Sequence, residues 1–414
     1  MIDERDLLQR TARRFAPAPG IVERVYRRRD RKRRNRRIGA GVLALVLAAV
    51  AIVSVVRAFR AVGHLTPAHE PSIAPVAACP PGSTADEPGP VDQARPSSHY
   101  SNMPMAFDRD SGRIVLLDPR AHATTTWTFD VCTNTWHRMS PDRQPRGIQR
   151  DGRLVYDADS DLTIALFGER QVWAYDLESD TWIEEGLAPI HTGGLPNIHM
   201  AYDPVSGLVV VREAVPSRSR HPYLSDFRSW LWTYDVDSDV WVEIHETIPM
   251  DQPGSQWFTD PPDWLQFVYD ASVSRFVAFV PQGDTPAWTF DLPTATWSPM
   301  KAIAPSVNTA YGLGEEAVYD EAAGMTVMFS RGFVVGYDAS ADRWTTLYGH
   351  PWEQPGCCQP GPLNRVYHQM VYDPINERLV VYGGSVLDRT PSQTTDVWAF
   401  DVATREWTQL VAQS

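Results

Sequence analysis

Residues 397–407 read Val-Trp-Ala-Phe-Asp-Val-Ala-Thr-Arg-Glu-Trp, and the frame they set recurs five times upstream. An aromatic residue followed by Asp stands at Phe129-Asp130, Tyr175-Asp176, Tyr234-Asp235, Phe290-Asp291, Tyr337-Asp338 and Phe400-Asp401. Six positions after each Asp comes Trp136, Trp182, Trp241, Trp297, Trp344 or Trp407. Three positions before it stands Trp127, Trp173, Trp232, Trp288 or Trp398, with Val335 replacing Trp in one unit. Most of the 15 Trp in this 414-residue chain therefore fall in two registers. Self-similarity of that kind marks a repeat architecture.

A second aromatic-Asp pair opens each unit: Phe107-Asp108, Tyr156-Asp157, Tyr202-Asp203, Tyr269-Asp270, Tyr319-Asp320 and Tyr372-Asp373. A short polar turn and an apolar run follow, as in Arg378-Leu379-Val380-Val381-Tyr382. Each unit thus reads strand, tight turn, strand, variable loop, strand, tight turn, strand. Four antiparallel strands make one propeller blade, and six such units close radially. The expected fold class is all-β, a six-bladed β-propeller over residues 99–412. The last unit, with Val371-Tyr372-Asp373, Val381-Tyr382-Gly383-Gly384, Val397-Trp398-Ala399-Phe400-Asp401 and Trp407, resembles a Kelch repeat of the galactose-oxidase-like propellers. The other units lack the double glycine and carry Gly168-Glu169 or Arg212-Glu213 in that region, which implies a divergent branch.

Charge divides the chain. Residues 1–63 hold 16 Lys/Arg against 5 Asp/Glu, whereas the remainder holds 22 against 46. Ile38 to Val56 contains no charge and no Pro, and at 1.5 Å rise per residue it is long enough to cross a bilayer core. The basic flank Arg27 to Arg37 precedes it and only Arg57 and Arg60 follow, a bias that keeps the N-terminus cytoplasmic. The expected organisation is a basic cytoplasmic tail at 1–37 lying on anionic lipid, a transmembrane helix at 38–56, a Pro-rich linker at 57–98 and an extracytoplasmic propeller. The expected location is the cell membrane, by a single pass. The acidic ectodomain excludes nucleic acid as a partner.

The repeated Trp and Tyr read as blade-to-blade packing rather than a sugar-stacking ladder. The repeated Asp read as turn chemistry, since Asp accepts local backbone N–H bonds where a strand enters a turn. No Walker-type loop, HExxH, GxSxG or sialidase box occurs, so no catalytic residue is assigned. His199, His221, His245, His350 and His368 follow no metal-ligand spacing, and no cofactor is expected. Asp235, Asp237, Asp239 and Glu246 imitate a calcium loop, but Val240 occupies the position that needs Gly. Four cysteines allow three pairings; Cys79 with Cys132 is the expected disulfide, leaving Cys357 and Cys358 as a vicinal pair or free thiols.

Long connections, at Glu213–Ser229, His245–Gln266, Tyr348–His368 and Gly383–Asp396, all belong to one face of the disc. They carry aromatic and polar residues that the blade pattern does not require: Tyr223, Phe227, Trp257, Phe258, Trp264, Trp352, Tyr367 and His368. These are the candidate ligand-binding residues, because long loops on a rigid scaffold commonly hold binding sites. The leading expectation is a binding protein that recognises a protein or glycan of the cell envelope. A carbohydrate-active enzyme with its site at the channel mouth, and a transmembrane sensor with the propeller as input, are the alternatives.

Overall fold

The computed structural model describes residues 76, 78–97, 103–120, 123–145, 152–167, 170–191, 198–216, 227–248, 266–279, 287–302, 316–330, 332–349, 361–386 and 393–413. Pro71–Ser414 forms a compact unit. Among the described residues no helix is long and apolar enough to cross a membrane, and the run 38–56 lies outside them.

Blade one is Met105–Asp108 (β1), Arg113–Arg120 (β2), Ala123–Asp130 (β3) and Thr135–Arg138 (β4). Blade two is Arg153–Asp157 (β5), Leu162–Leu166 (β6), Gln171–Asp176 (β7) and Thr181–Leu187 (β8). Blade three is Ile198–Asp203 (β9), Leu208–Pro216 (β10), Phe227–Asp235 (β11) and Val240–Ile244 (β12). Blade four is Gln266–Asp270 (β13), Arg275–Phe279 (β14), Ala287–Asp291 (β15) and Thr296–Pro299 (β16). Blade five is Glu316–Asp320 (β17), Met325–Ser330 (β18), Phe333–Asp338 (β19) and Arg343–Tyr348 (β20). In blade six, Gln369–Asp373 (β22), Arg378–Tyr382 (β23), Val397–Asp401 (β25) and Glu406–Val411 (β26) form the sheet, while Arg365–Val366 (β21) pairs with Ser385–Val386 (β24) beside it.

Each four-stranded sheet is an antiparallel meander built from one continuous stretch of chain. The first strands approach one another in the cyclic order β1, β5, β9, β13, β17, β22 and back to β1. The fold is a six-bladed β-propeller. No strand is shared between the first and last blades, so other contacts must hold the ring shut.

The repeated residues account for this architecture. Within every blade the aromatic residue of the third strand meets the Trp of the fourth, with ring centroids 4.5 to 4.9 Å apart. The fourth-strand Trp also reaches the preceding blade. Trp136 meets Tyr382 at 5.0 Å, Trp344 meets Phe279 at 5.5 Å, Trp407 meets Phe329 at 5.0 Å, and Trp182 Nε1 donates to Thr126 Oγ1 at 2.9 Å. These rings are core, and each removes a large apolar area from water.

The Asp that ends each first strand accepts a backbone N–H from its own turn, at 2.8 to 3.0 Å from Ser111, Asp159, Val205, Ser272, Ala323 and Ile375. Each of those turns closes on a left-handed residue, namely Gly112, Asp161, Gly207, Ser274, Gly324 or Glu377. The calcium-like carboxylates resolve in the same way: Asp235 accepts the Asp237 N–H, and Asp239 accepts the Tyr234 hydroxyl. Among the described residues no cluster of His, Cys, Asp and Glu is placed to hold a metal.

Part of the Pro-rich linker segment 57–98 packs on the propeller. Cys79 is bonded to Cys132 in the turn between β3 and β4. Asn134 Nδ2 donates to the carbonyls of Ala85 and Glu87, both at 2.8 Å. Farther along, Gly89 N donates to Leu410 O, Arg95 Nη1 donates to Ala412 O, and Asp118 accepts both the backbone N–H and the hydroxyl of Ser97. A Cβ on Gly89 would stand 2.0 Å from Asn134 O, so only glycine admits this approach. Residues 79–97 therefore form a strap along the seam between blades six and one. Arg378, buried in blade six, ties the same seam: its guanidinium bonds Asp373, Ala85 O and Val131 O.

Candidate ligand-binding site

The first strands run from the long-loop face toward the tight-turn face, so their initial residues surround one mouth of the central channel. Four positions before the first Asp of each unit stand Pro104, Arg153, His199, Gln266, Glu316 and Gln369. All six line a cavity of about 260 Å³ bounded by the innermost strands. Deeper in, the walls become apolar, with Met105, Leu154, Met200, Phe267, Ala317 and Met370. The cavity thus has a polar collar at the long-loop end and a mixed polar and apolar surface.

The opposite end is bridged. Arg109 and Glu321, from the first turns of blades one and five, form a two-point ion pair at 2.5 and 3.2 Å. Those blades are not neighbours in the ring, so the pair spans the tight-turn mouth.

Within the collar, Gln369 Nε2 donates to Glu316 Oε1 at 3.0 Å and to His368 O at 3.1 Å. Arg153 Nε donates to Ile198 O at 2.8 Å, which fixes the guanidinium at the mouth. Burial pushes the Glu316 carboxyl up to about 7, against the opposing pull of Arg153 and of the Gln369 bond. Burial also drives His199 well below its ordinary range, helped by the charges of Arg153 and Arg212. His199 is neutral, and its Nε2 is buried with no hydrogen-bond partner among the described residues. An orphaned buried nitrogen facing a cavity is a position where a ligand or ordered water gains a bond.

A second feature of this face lies one strand outward. Glu213, fully buried, accepts the His191 backbone N–H, the His191 Nδ1–H at 2.9 Å and the Trp232 indole N–H at 2.9 Å. The imidazole lies against Trp230 with centroids 4.2 Å apart. Glu213 occupies the place that Asp118 holds in blade one, since each stands two residues beyond the partner of the third-strand Trp. Both carboxylates pin the incoming chain through a backbone N–H and a side chain of one residue. By the same register Glu213, not Arg212, faces the position of Gly383 in blade six.

Of the residues expected to bind ligand, Tyr223, Trp257, Phe258, Trp264 and Trp352 lie outside the described residues, as do Cys357, Cys358, His221 and His350. Phe227 is not in a loop: the ladder of β10 and β11 extends to the pair Pro216 and Phe227. Tyr367 is exposed on the long-loop face, whereas His368 is fully buried with its ring 4.8 Å from Phe329. His368 thus packs its ring against Phe329. His245, after β12, is exposed and stands apart from the collar. The collar residues Arg153, Gln266, Glu316 and Gln369 were not among the expected site residues, although their common offset from the first Asp was available in the repeat.

No known protein family and no curated protein matches the chain. Among solved structures it is similar to YjhT, with 12% identity and a TM-score of 0.47 over 77% of this chain and 99% of that one. It is also similar to an oligogalacturonate lyase in complex with manganese, with 12% identity and a TM-score of 0.46 over 78% and 84% of the two chains. An oligogalacturonate lyase from Vibrio parahaemolyticus gives 10% identity and a TM-score of 0.43 over 78% and 80%. The blade count rests on the sheet topology, not on these likenesses.

Proposed function

We propose that the chain is a ligand-binding propeller of a divergent Kelch type, held at the cell envelope by its N-terminal segment, and that its ligand enters the polar collar on the long-loop face. The observation that carries this reading is the asymmetry of the channel. Arg153, His199, Gln266, Glu316 and Gln369 ring one mouth, while Arg109 and Glu321 bridge the other. A guanidinium, two amides, an imidazole nitrogen and a carboxyl supply donors and acceptors in a concave site that also has apolar side chains in its lining, as small-molecule sites do. The expected ligand is an envelope glycan or a polar tip of an envelope protein. Trp257, Trp264 and Trp352, from the long connections, are proposed to extend the contact.

A second reading is favoured by one specific feature. A carboxyl titrating near neutral pH can both give and take a proton, which is what a general acid-base step needs. On that reading the collar is the active site of an envelope enzyme acting on carbohydrate, and Glu316 is the proton-transfer group.

One experiment addresses both. The full-length chain and its Arg153→Met, Glu316→Gln and Arg109→Ala variants are applied to an array of envelope oligosaccharides and, by photo-crosslinking, to intact envelope. Capture is expected to fall at least about tenfold in Arg153→Met, the size of one lost charged hydrogen bond, and to persist in Arg109→Ala. The opposite pattern overturns the collar assignment. Product formation by the wild type that disappears in Glu316→Gln, with capture retained, decides for the enzyme.

A further inference from the structure

We infer that Tyr367 is the stacking surface of this site and that the ligand is a pyranose-class sugar, an inference that rests on the collar reading above. Tyr367 has φ +58°, in the left-handed region that residues bearing a Cβ disfavour and bulky ones rarely enter. Tyr367 is 55% exposed, although both chain neighbours, Val366 and His368, are buried. A ring that merely filled space would be inside.

The conformation is imposed by the surroundings. Val366 pairs with Ser385 and Arg365 with Val386 in the small β21–β24 ladder. The buried Arg365 guanidinium grips Asp396 at 2.7 and 3.0 Å and also bonds Gly383 O at 2.9 Å. At Gly384, a Cβ would come within 2.9 Å of Val366 O and 3.1 Å of the His368 Cβ, so this glycine makes the room into which the segment fits. The double glycine of the last unit thereby acquires a physical purpose. Strain held in place by so many contacts, and ending in an outward-facing aromatic ring, is a mark of a functional position.

Its location supplies the ligand chemistry. Gln369, two residues on, lines the collar and donates to Glu316, and Tyr367 precedes it on the long-loop side, where that strand begins. The collar pairs Arg153 with Glu316 and adds two neutral amides, a set suited to hydroxyl groups rather than to a polyanion. A pyranose ring combines hydroxyls at its edge with a C–H face that lies on an aromatic ring. Hydroxyls meeting the collar and the C–H face meeting Tyr367 satisfy both halves of the site.

The test uses saturation-transfer NMR on the full-length chain with methyl β-glucopyranoside, methyl β-galactopyranoside, methyl N-acetyl-β-glucosaminide and methyl β-glucuronide. The wild type is expected to saturate the C–H protons of one ring face in at least one of these. Tyr367→Phe should bind within about twofold of wild type, and Tyr367→Ala and Tyr367→Gly about tenfold more weakly, as for loss of one aromatic contact. Tyr367→Gly carries the distinguishing readout: glycine accepts φ +58° freely, so this variant should melt at a higher temperature than wild type while binding less. A purely structural role for Tyr367 moves stability and binding together. Undiminished binding by Tyr367→Gly, with loss in Arg153→Met, overturns the Tyr367 assignment and leaves the collar standing. Failure of the wild type to saturate any of the four glycosides overturns the sugar class. Binding that survives Arg153→Met overturns the collar reading itself.

Discussion

Burial holds His368 neutral down to about pH 3, with the Arg365 charge adding to the effect. Its folded value lies below its ordinary 6.5, so this group's share of stability is complete above pH 6.5 and is lost as pH falls toward 3. Glu316 has the opposite sign. Its folded value near 7 lies above its ordinary 4.5, so its share is complete below 4.5 and is lost as pH rises through 7. Asp157, raised by burial to about 6, acts in the same direction as Glu316. At pH 5 the His368 penalty is about 2 kcal/mol and the Glu316 gain is of similar size, at about 1.4 kcal/mol per unit. The share of each group is isolated by comparing the urea midpoint of its variant with that of the wild type from pH 7 to 5. Glu316→Gln should lose about 2 kcal/mol over that range relative to wild type, and His368→Gln should gain about as much. Parallel curves for all three proteins would refute the assignment. At this scale the sequence revealed the repeating Asp and Trp because each repeats one chemical task. Glu316 and His199 were hidden because each collar position carries a different side chain, and only superposing the units brings them to one register.

Strands and tight turns were legible because the aromatic-Asp frame recurs with fixed spacing, and each Asp caps its own turn. The strap was not. Its Pro-rich composition suggests an extended spacer, yet it bonds the main-chain carbonyls of Leu410, Ala412 and Asn134, which no side-chain pattern announces, and the side chains of Asn134, Asp118 and Arg378 from distant parts of the sequence. Its disulfide was legible, since Cys132 falls in the first blade and Cys79 just ahead of it. Two substitutions test the strap as an element. Cys79→Ser is expected to lower stability by about 4 kcal/mol in the chain-entropy account of a loop of this length. Arg378→Leu leaves buried Asp373 without its cation and strips donors from Ala85 O and Val131 O, at a cost of about 3 to 5 kcal/mol. Denaturant unfolding of both variants checks these values, and a change below about 1 kcal/mol in either removes the strap from the stabilising contacts.

Across the whole molecule, blades that are contiguous in sequence leave a single seam where the ring begins and ends, and the disulfide sits at that seam. The cross-link changes how the propeller answers a mechanical pull. Tension applied upstream of Cys79 passes through the sulfur bridge into the β3–β4 turn and skips everything between the two cysteines, including β1, β2, β3 and the strap. The chain between the two cysteines, a sequence separation of 53, stays slack, so the inner and middle strands of blade one feel no traction from that side. Stretching single molecules between a point before Cys79 and the C-terminus should therefore release a contour length about 190 Å shorter when the disulfide is intact than when it is reduced, at about 3.6 Å per extended residue. Equal lengths in the two states would show that the bridge bears no tension. A propeller built this way resists being unzipped from its N-terminal end, because the first thing a tug reaches is a covalent bond.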